Sequence, residues 1–383
     1  MTERYIYLGS RKLRCGYTTG TCAAAAATAA AHILLTGKML PEVSITVPKG
    51  EVLHLPVRIV SIQEGEVCCA VRKDAGDDTD ITDGMEIFTT VKKNGEGIRI
   101  EGGDGVGVVT KKGLDRNVGE AAINSVPRRM IEEGLNREKE LAGYAGGLTA
   151  TVSIPGGEEA AKKTFNPRLG IVGGLSVLGT TGIVEPMSER ALVETIHAEI
   201  STHAAAGDKD LLVVPGNYGA DYLKNVLGID PAQTVKCSNF IGETIDMGFE
   251  FRLHSMLLVG HIGKLCKLAS GIMNTHSRYA DGRMEALAGC ALLAGADRET
   301  ALQILACVTT DAAIEVLRKN GFCEKTMAML ADRIEQHLKA RACEGLRIAA
   351  VVFSNEYGTL CRTSEAGAVL EMHKRAVSPG DAD

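Results

Sequence analysis

The chain has 383 residues, 45% hydrophobic and 23% charged, with a formal net charge of −6. That length predicts two domains with a core each, in a soluble globular protein of ordinary composition. The acidic balance argues against a nucleic-acid partner, and no run looks long and apolar enough to cross a membrane.

The first predicted element is a helix. Gly16 and Gly20 permit a tight loop, and Thr18, Thr19 and Thr21 place hydroxyls where a helix begins. Ala23–Ala31, broken only by Thr28, follows with high helix propensity and almost no bulk. A helix so thin admits a flat ligand or another backbone closely, and its first N–H groups suit an anion. A capped core helix packed on a sheet has the same pattern. Short strand-like runs come next, at Val43–Val47, Val52–Ile62, Glu66–Arg72, Glu86–Lys92 and Gly97–Ile100. Gln63-Glu64-Gly65 and Asn94-Gly95 predict hairpin turns. A helix from about Asn124 toward Leu141, with Pro127 in its first turn, and a strand at Gly147–Ile154 complete an α+β domain over 1–157.

Beyond the charged segment Glu158–Lys163 the rhythm becomes strand, loop, helix. Strands are expected at Gly170–Leu178, Asp210–Pro215, Thr234–Cys237, Ser255–Gly260 and Leu346–Ser354, the last closing the set, with helices between them. This predicts a Rossmann-like three-layer α/β/α domain over 164–375, with a mainly parallel sheet. The tail from Ala376 is expected to fray.

Several motifs suggest chemistry. The 44 glycines gather at Gly102–Gly113, Gly170–Gly182 and Gly216–Gly219, where backbone would approach a ligand. Lys73-Asp74-Ala75-Gly76-Asp77-Asp78, with Asp80 and Asp83 behind it, offers five aspartates for a hard cation but lacks the closing glutamate of a calcium loop. A solvated acidic turn fits the same residues. The run Glu101–Leu114 lacks the spacing of a dinucleotide fingerprint and fits a plain turn equally. Gly179-Thr180-Thr181-Gly182, read as the end of a buried strand, would lie in the crevice where open parallel sheets bind ligands. His261 and His276 lack a third ligand at helical spacing, and His261 beside Lys264 better suits anion binding or proton transfer. Eleven cysteines with no C-x-x-C pair and no secretory layout at the start point to reduced thiols in a cytoplasm.

Leu13–Ala31, Lys73–Asp78, Gly102–Lys111 with Ala122–Asn124 and Val126–Arg128, Asn166–Ser188, Lys236–Gly242, Val259–Lys264 and Gly271–Arg278 together resemble the cobalt-precorrin-5B C(1)-methyltransferase family over most of the chain. Lys112 stands where that family carries proline. The resemblance implies methyl transfer from S-adenosylmethionine to C(1) of a cobalt-bound tetrapyrrole, giving cobalt-precorrin-6A. Cobalt would enter with the substrate, so no metal site of the protein is expected. It implies a donor site at Gly173, Gly174, Thr180, Thr181 and Glu185 in the second domain. The macrocycle would lie between the domains, against Thr18, Thr19, Thr21, Lys73 and Lys111, with Lys264 and Arg278 available to its carboxylates. His261 or Asp74 would handle a proton. Two other readings stay open, a nicotinamide-dependent tetrapyrrole reductase and a non-catalytic tetrapyrrole or cobalt carrier. The missing G-x-G-x-x-G counts against the former. No nucleic acid or membrane is expected as a partner, and a homo-oligomer is left open.

Overall fold

The alanine run does fold as a helix, and the first half of the chain is built around it. The computed structural model describes residues 4–231, 234–342 and 344–377, with side chains to His373. Two compact units divide the chain, Met1–Ala191 and Leu192–Asp383.

In the first unit β1 (Tyr5–Leu8), β2 (Arg11–Arg14) and β3 (Gly16–Tyr17) lead into α1 (Thr19–Thr36). Thr18 caps α1 by accepting from the Thr21 N–H, and Gly37 ends it in the left-handed conformation. There follow β4 (Glu42–Thr46), β5 (Val52–Pro56), β6 (Arg58–Gln63), β7 (Glu66–Arg72), β8 (Glu86–Asn94), β9 (Ile98–Gly102), β10 (Val108–Val109), α2 (Ser125–Ala142) and β11 (Gly147–Ser153). The short α3 (Gly157–Ala161), α4 (Asn166–Leu169), β12 (Ile171–Val172) and β13 (Ile183–Val184) complete the unit. Its main sheet has the order β6-β7-β8-β11-β9.

Against that sheet lies α1, with α2 packed on the helix as well. Every residue of Cys22–Ala27 and Ala29–Ala31 is fully buried. Contrary to expectation, α1 is long and apolar enough to span a bilayer by length and composition, but 78% of it is buried inside the unit, as in a core helix. The Gln63–Glu66 turn joins β6 to β7 as predicted. Asn94-Gly95 does not close a hairpin. β11 inserts between β8 and β9, antiparallel to the first and parallel to the second, so a strand from 50 residues downstream takes both sets of hydrogen bonds.

The expected domain boundary also moves. Gly170–Leu178 is no strand of the second unit's parallel sheet: β12 pairs antiparallel with β10, Leu175 and Val177 make only isolated parallel bridges to Val106 and Ile123, and β13 beyond them pairs antiparallel with β3. Leu175, Val177 and Ile183 fill the first unit's core, which explains the apolar run without a long strand.

The second unit runs α5 (Glu189–Ala206, whose first turn straddles the division), β14 (Asp210–Val214), α6 (Asn217–Tyr222), β15 (Thr234–Lys236), α7 (Ile241–Glu250), β16 (Ser255–His261) and α8 (Ile262–Leu265). Then come α9 (Arg283–Leu293), α10 (Arg298–Leu305), α11 (Thr310–Lys319), α12 (Cys323–Ala342), β17 (Arg347–Ser354), β18 (Gly358–Arg362) and α13 (Ala366–Val377). The sheet order is β15-β14-β16-β17-β18, parallel except for the β18 edge. Leu211, Val213, Met256, Leu258, Ile348 and Ala350 point into a core shared with α7 and α9 to α12. Leu212, Val214, Leu257, Val259, Val351 and Phe353 point into another, shared with α6 and α13. Burial on both faces is why these strands read as continuous apolar runs. β18 and α13 extend the fold beyond Ser354, and residues 378–383 of the expected frayed tail lie outside the described residues.

Candidate functional site

The threonines at the start of α1 are buried and partnered within the first unit. Thr19 Oγ1 donates to the Leu178 carbonyl at 3.1 Å, and Thr21 Oγ1 donates to that of Gly182 at 2.8 Å. Thr18 Oγ1 lies 3.1 Å from Thr21 Oγ1, and a Cβ on Gly179 would collide with Thr18. The structure thus joins the Thr-rich turn to the 178–182 loop, as two neighbouring segments that satisfy each other. Thr181 Oγ1 donates to the Ile183 carbonyl at 3.0 Å. Glu185 accepts from Arg4 at 3.1 Å and from Lys49, whose hydrogen bond holds its carboxyl below the ordinary range. Gly173 is exposed at φ +81°, and Gly174 packs on the Gly105 backbone.

The acidic loop is wired internally. Asp74 takes a bidentate pair from Arg14 at 2.6 and 2.7 Å and a third bond from the Gly76 N–H, and Arg14 keeps its carboxyl below the ordinary range. Asp77 accepts from the Arg14 N–H, Asp78 from that of Met187, and Asp83 from that of Ala75. Lys73 is only 2% exposed and donates to Asp80 at 2.5 Å. Burial works against the charge on Asp80, but Lys73 and the bonds from Thr82 outweigh it and leave its carboxyl lowered. All five aspartates therefore cap or pair within the unit, and among the described residues no group of three His, Cys, Asp or Glu is set to hold a metal. Lys111 folds over Gly170 and donates to the Arg168 carbonyl at 3.0 Å.

In the second unit the carboxyl ends of the parallel strands gather a different set. The chain leaves β14 for β15 on one side, and β16 lies on the other, so the switch point falls between β14 and β16. Lys264, half-buried, donates to the carbonyls of Pro215 (3.2 Å) and Ser238 (3.4 Å). Its pKa is lowered by burial, and among the described residues no carboxylate pairs with it. His261 ends β16 and caps α8, its Nδ1 accepting from the Gly263 N–H at 3.1 Å. Burial lowers its pKa, and the nearby Asp311 only partly offsets that. Ser238 stands at φ +53°, a strained conformation for a residue with a side chain. Lys236 Nζ donates to Asn217 Oδ1 at 3.0 Å, and the Tyr218 ring lies 6.1 Å from that of His261. Arg278 is exposed, stacked on Tyr279.

The relatives of this chain carry one consistent description. CbiD matches residues 6–186, and the CbiD C-terminal domain matches 274–364. A protein from Ruminiclostridium cellulolyticum described as cobalt-precorrin-5B C(1)-methyltransferase is 50% identical over 92% of each chain. The chain belongs to the CbiD family. A likewise described protein of Thermoanaerobacter is 45% identical, covering 95% of this chain and 99% of its own. The crystal structure of the cobalamin biosynthesis protein CbiD from Archaeoglobus fulgidus is 28% identical, with TM-score 0.40 over 73% of this chain and 87% of that one.

Of the residues expected in a CbiD site, His261, Lys264 and Arg278 fall in the second unit and the others in the first. Sequence reasoning missed Arg14, which holds Asp74, and Lys267. Lys267 is 2% exposed and donates to the Thr275 and Ala280 carbonyls at 3.0 and 2.8 Å, pinning the loop that carries Arg278. A lysine inside the apolar run Leu265–Ala269 was the available signal.

Proposed function

We propose that this protein is a cobalt-precorrin-5B C(1)-methyltransferase that takes its methyl group from S-adenosylmethionine. What carries the reading is the 50% identity, over 92% of both chains, to a relative of that description. In the reaction the sulfonium S–CH3 bond breaks as a carbon–carbon bond forms at ring C(1), the macrocycle supplying the electron pair. The donor leaves as S-adenosylhomocysteine. The protein's task is alignment and charge placement rather than covalent catalysis.

The donor fits best at the carboxyl edge of the second unit's mainly parallel sheet. The side chains of Thr181 and Glu185, first expected to hold it, already serve the first unit, and their segment does not end a parallel strand. His261 suits hydrogen-bond donation there. With Nδ1 accepting from Gly263, its ring proton sits on Nε2, and burial favours the neutral form. Arg278, exposed in the second unit, supplies a counter-charge for one of the macrocycle's carboxylates.

Incubation with cobalt-precorrin-5B and methyl-labelled S-adenosylmethionine should yield a product with one labelled methyl group. His261→Ala should lower that turnover, and unchanged turnover removes His261 from the chemistry. Calorimetry against S-adenosylhomocysteine and NADPH separates the readings. Binding of NADPH alone favours a reductase, and binding of neither favours a carrier.

A further inference from the structure

Two side chains at the carboxyl end of the second unit's parallel strands keep donors beyond those that folding uses. Lys264 keeps a half-buried ammonium from which, among the described residues, two backbone carbonyls accept, leaving its third N–H uncommitted. Next to it in the chain's path, His261 has its Nδ1 occupied by the Gly263 N–H, so Nε2–H is the ring's remaining donor. Both sit at the β14/β16 switch point, where open parallel sheets take ligands. A half-buried cation with no carboxylate partner among the described residues is poorly compensated, and a negative group arriving with a ligand would complete it.

We infer that Lys264 and the Nε2–H of His261 form the clamp for the single carboxylate of the methyl donor's amino-acid arm, with the adenosyl part lying toward Asn217 and Tyr218. The inference rests on the methyltransferase reading above. The charge balance selects the donor over the macrocycle. One uncommitted N–H and one neutral imidazole suit one carboxylate, whereas a polyanionic ring needs several cations. The other buried lysine nearby, Lys267, is already committed to Asp281 at 3.9 Å and to its two carbonyls, and Arg283 is paired with the same aspartate. Tyr218, 64% exposed, leaves a flat surface free for a purine. Ser238, whose carbonyl receives Lys264, holds its left-handed backbone at the end of β15, a strain that the clamp accounts for.

The test compares two ligands that differ in the carboxylate-bearing arm. S-adenosylhomocysteine and 5′-methylthioadenosine are titrated calorimetrically into the wild-type protein, Lys264→Met and Lys264→Gln. The glutamine keeps donors for the two carbonyls while losing the charge. Expected is a loss of roughly 10- to 100-fold in affinity for S-adenosylhomocysteine in both variants, with methylthioadenosine binding unchanged. Retained methylthioadenosine binding also shows that the variants are folded. Unchanged affinity for S-adenosylhomocysteine, or an equal loss for both ligands in the glutamine variant, overturns the clamp while the methyltransferase reading stands. If the wild-type protein binds neither adenosyl compound, the donor reading itself fails and the clamp with it.

Discussion

At the residue scale, the lesson of the first unit is that charge in a loop is not availability. Lys73 suits a substrate contact by its place in the sequence, yet among the described residues it is one of the largest fully buried side chains, paired with Asp80. Removing Lys73 leaves Asp80, 27% exposed, without its cation and leaves a gap where the buried lysine stem packed. Lys73→Met should therefore destabilise the protein by about 1–2 kcal/mol in urea unfolding, and Lys73→Met/Asp80→Leu should recover much of that loss. Additive losses in that double-mutant cycle would mean that the pair does not act as a unit. The wiring was illegible beforehand because the partners are far apart in sequence. Arg14 reaches Asp74 across 60 positions, and Met187 reaches Asp78 across 109.

At the element scale, local signals served well where the partner lies close in the chain. The β6–β7 turn, the start of α2 after Asn124 and the four parallel strands from β14 to β17 fall where pattern and punctuation predict. Prediction failed where a distant strand intervenes, as β11 does between β8 and β9. It failed again at Gly170–Leu178, because apolar residues that fill a core look alike whether or not they form a strand. Helix contacts hold a quantitative expectation. A Cβ on Gly134 of α2 would collide with Thr28 Oγ1 of α1, which donates to the Ala24 carbonyl at 2.8 Å. Gly134→Ala gains about 1 kcal/mol of helix propensity and meets overpacking of about 1–3 kcal/mol. Thermal melts should show a net loss for the single variant. Gly134→Ala/Thr28→Ala should melt above Gly134→Ala alone.

At the scale of the whole molecule, the two units each own a core, and their division sets what can be cut. A fragment ending at Gly157, the boundary first expected, loses β12 and β13, the partners of β10 and β3. It also loses the carbonyls of Leu178 and Gly182 that receive Thr19 and Thr21. We expect residues 4–191 to give a cooperative melt by circular dichroism and residues 4–157 to give none. Equal cooperativity would place the 158–191 segment outside the unit's folding core. The eight fully buried alanines flanking Thr28 on α1 carry a last consequence. Alanine has only a methyl group to lose, so drift along this stretch runs almost entirely toward larger side chains. Each added carbon there must be matched by a smaller residue across the contact, as at Thr89, whose hydroxyl meets the Ala23 carbonyl. Substitutions among homologues should therefore come as compensating pairs, and a lone enlargement should be found in almost none.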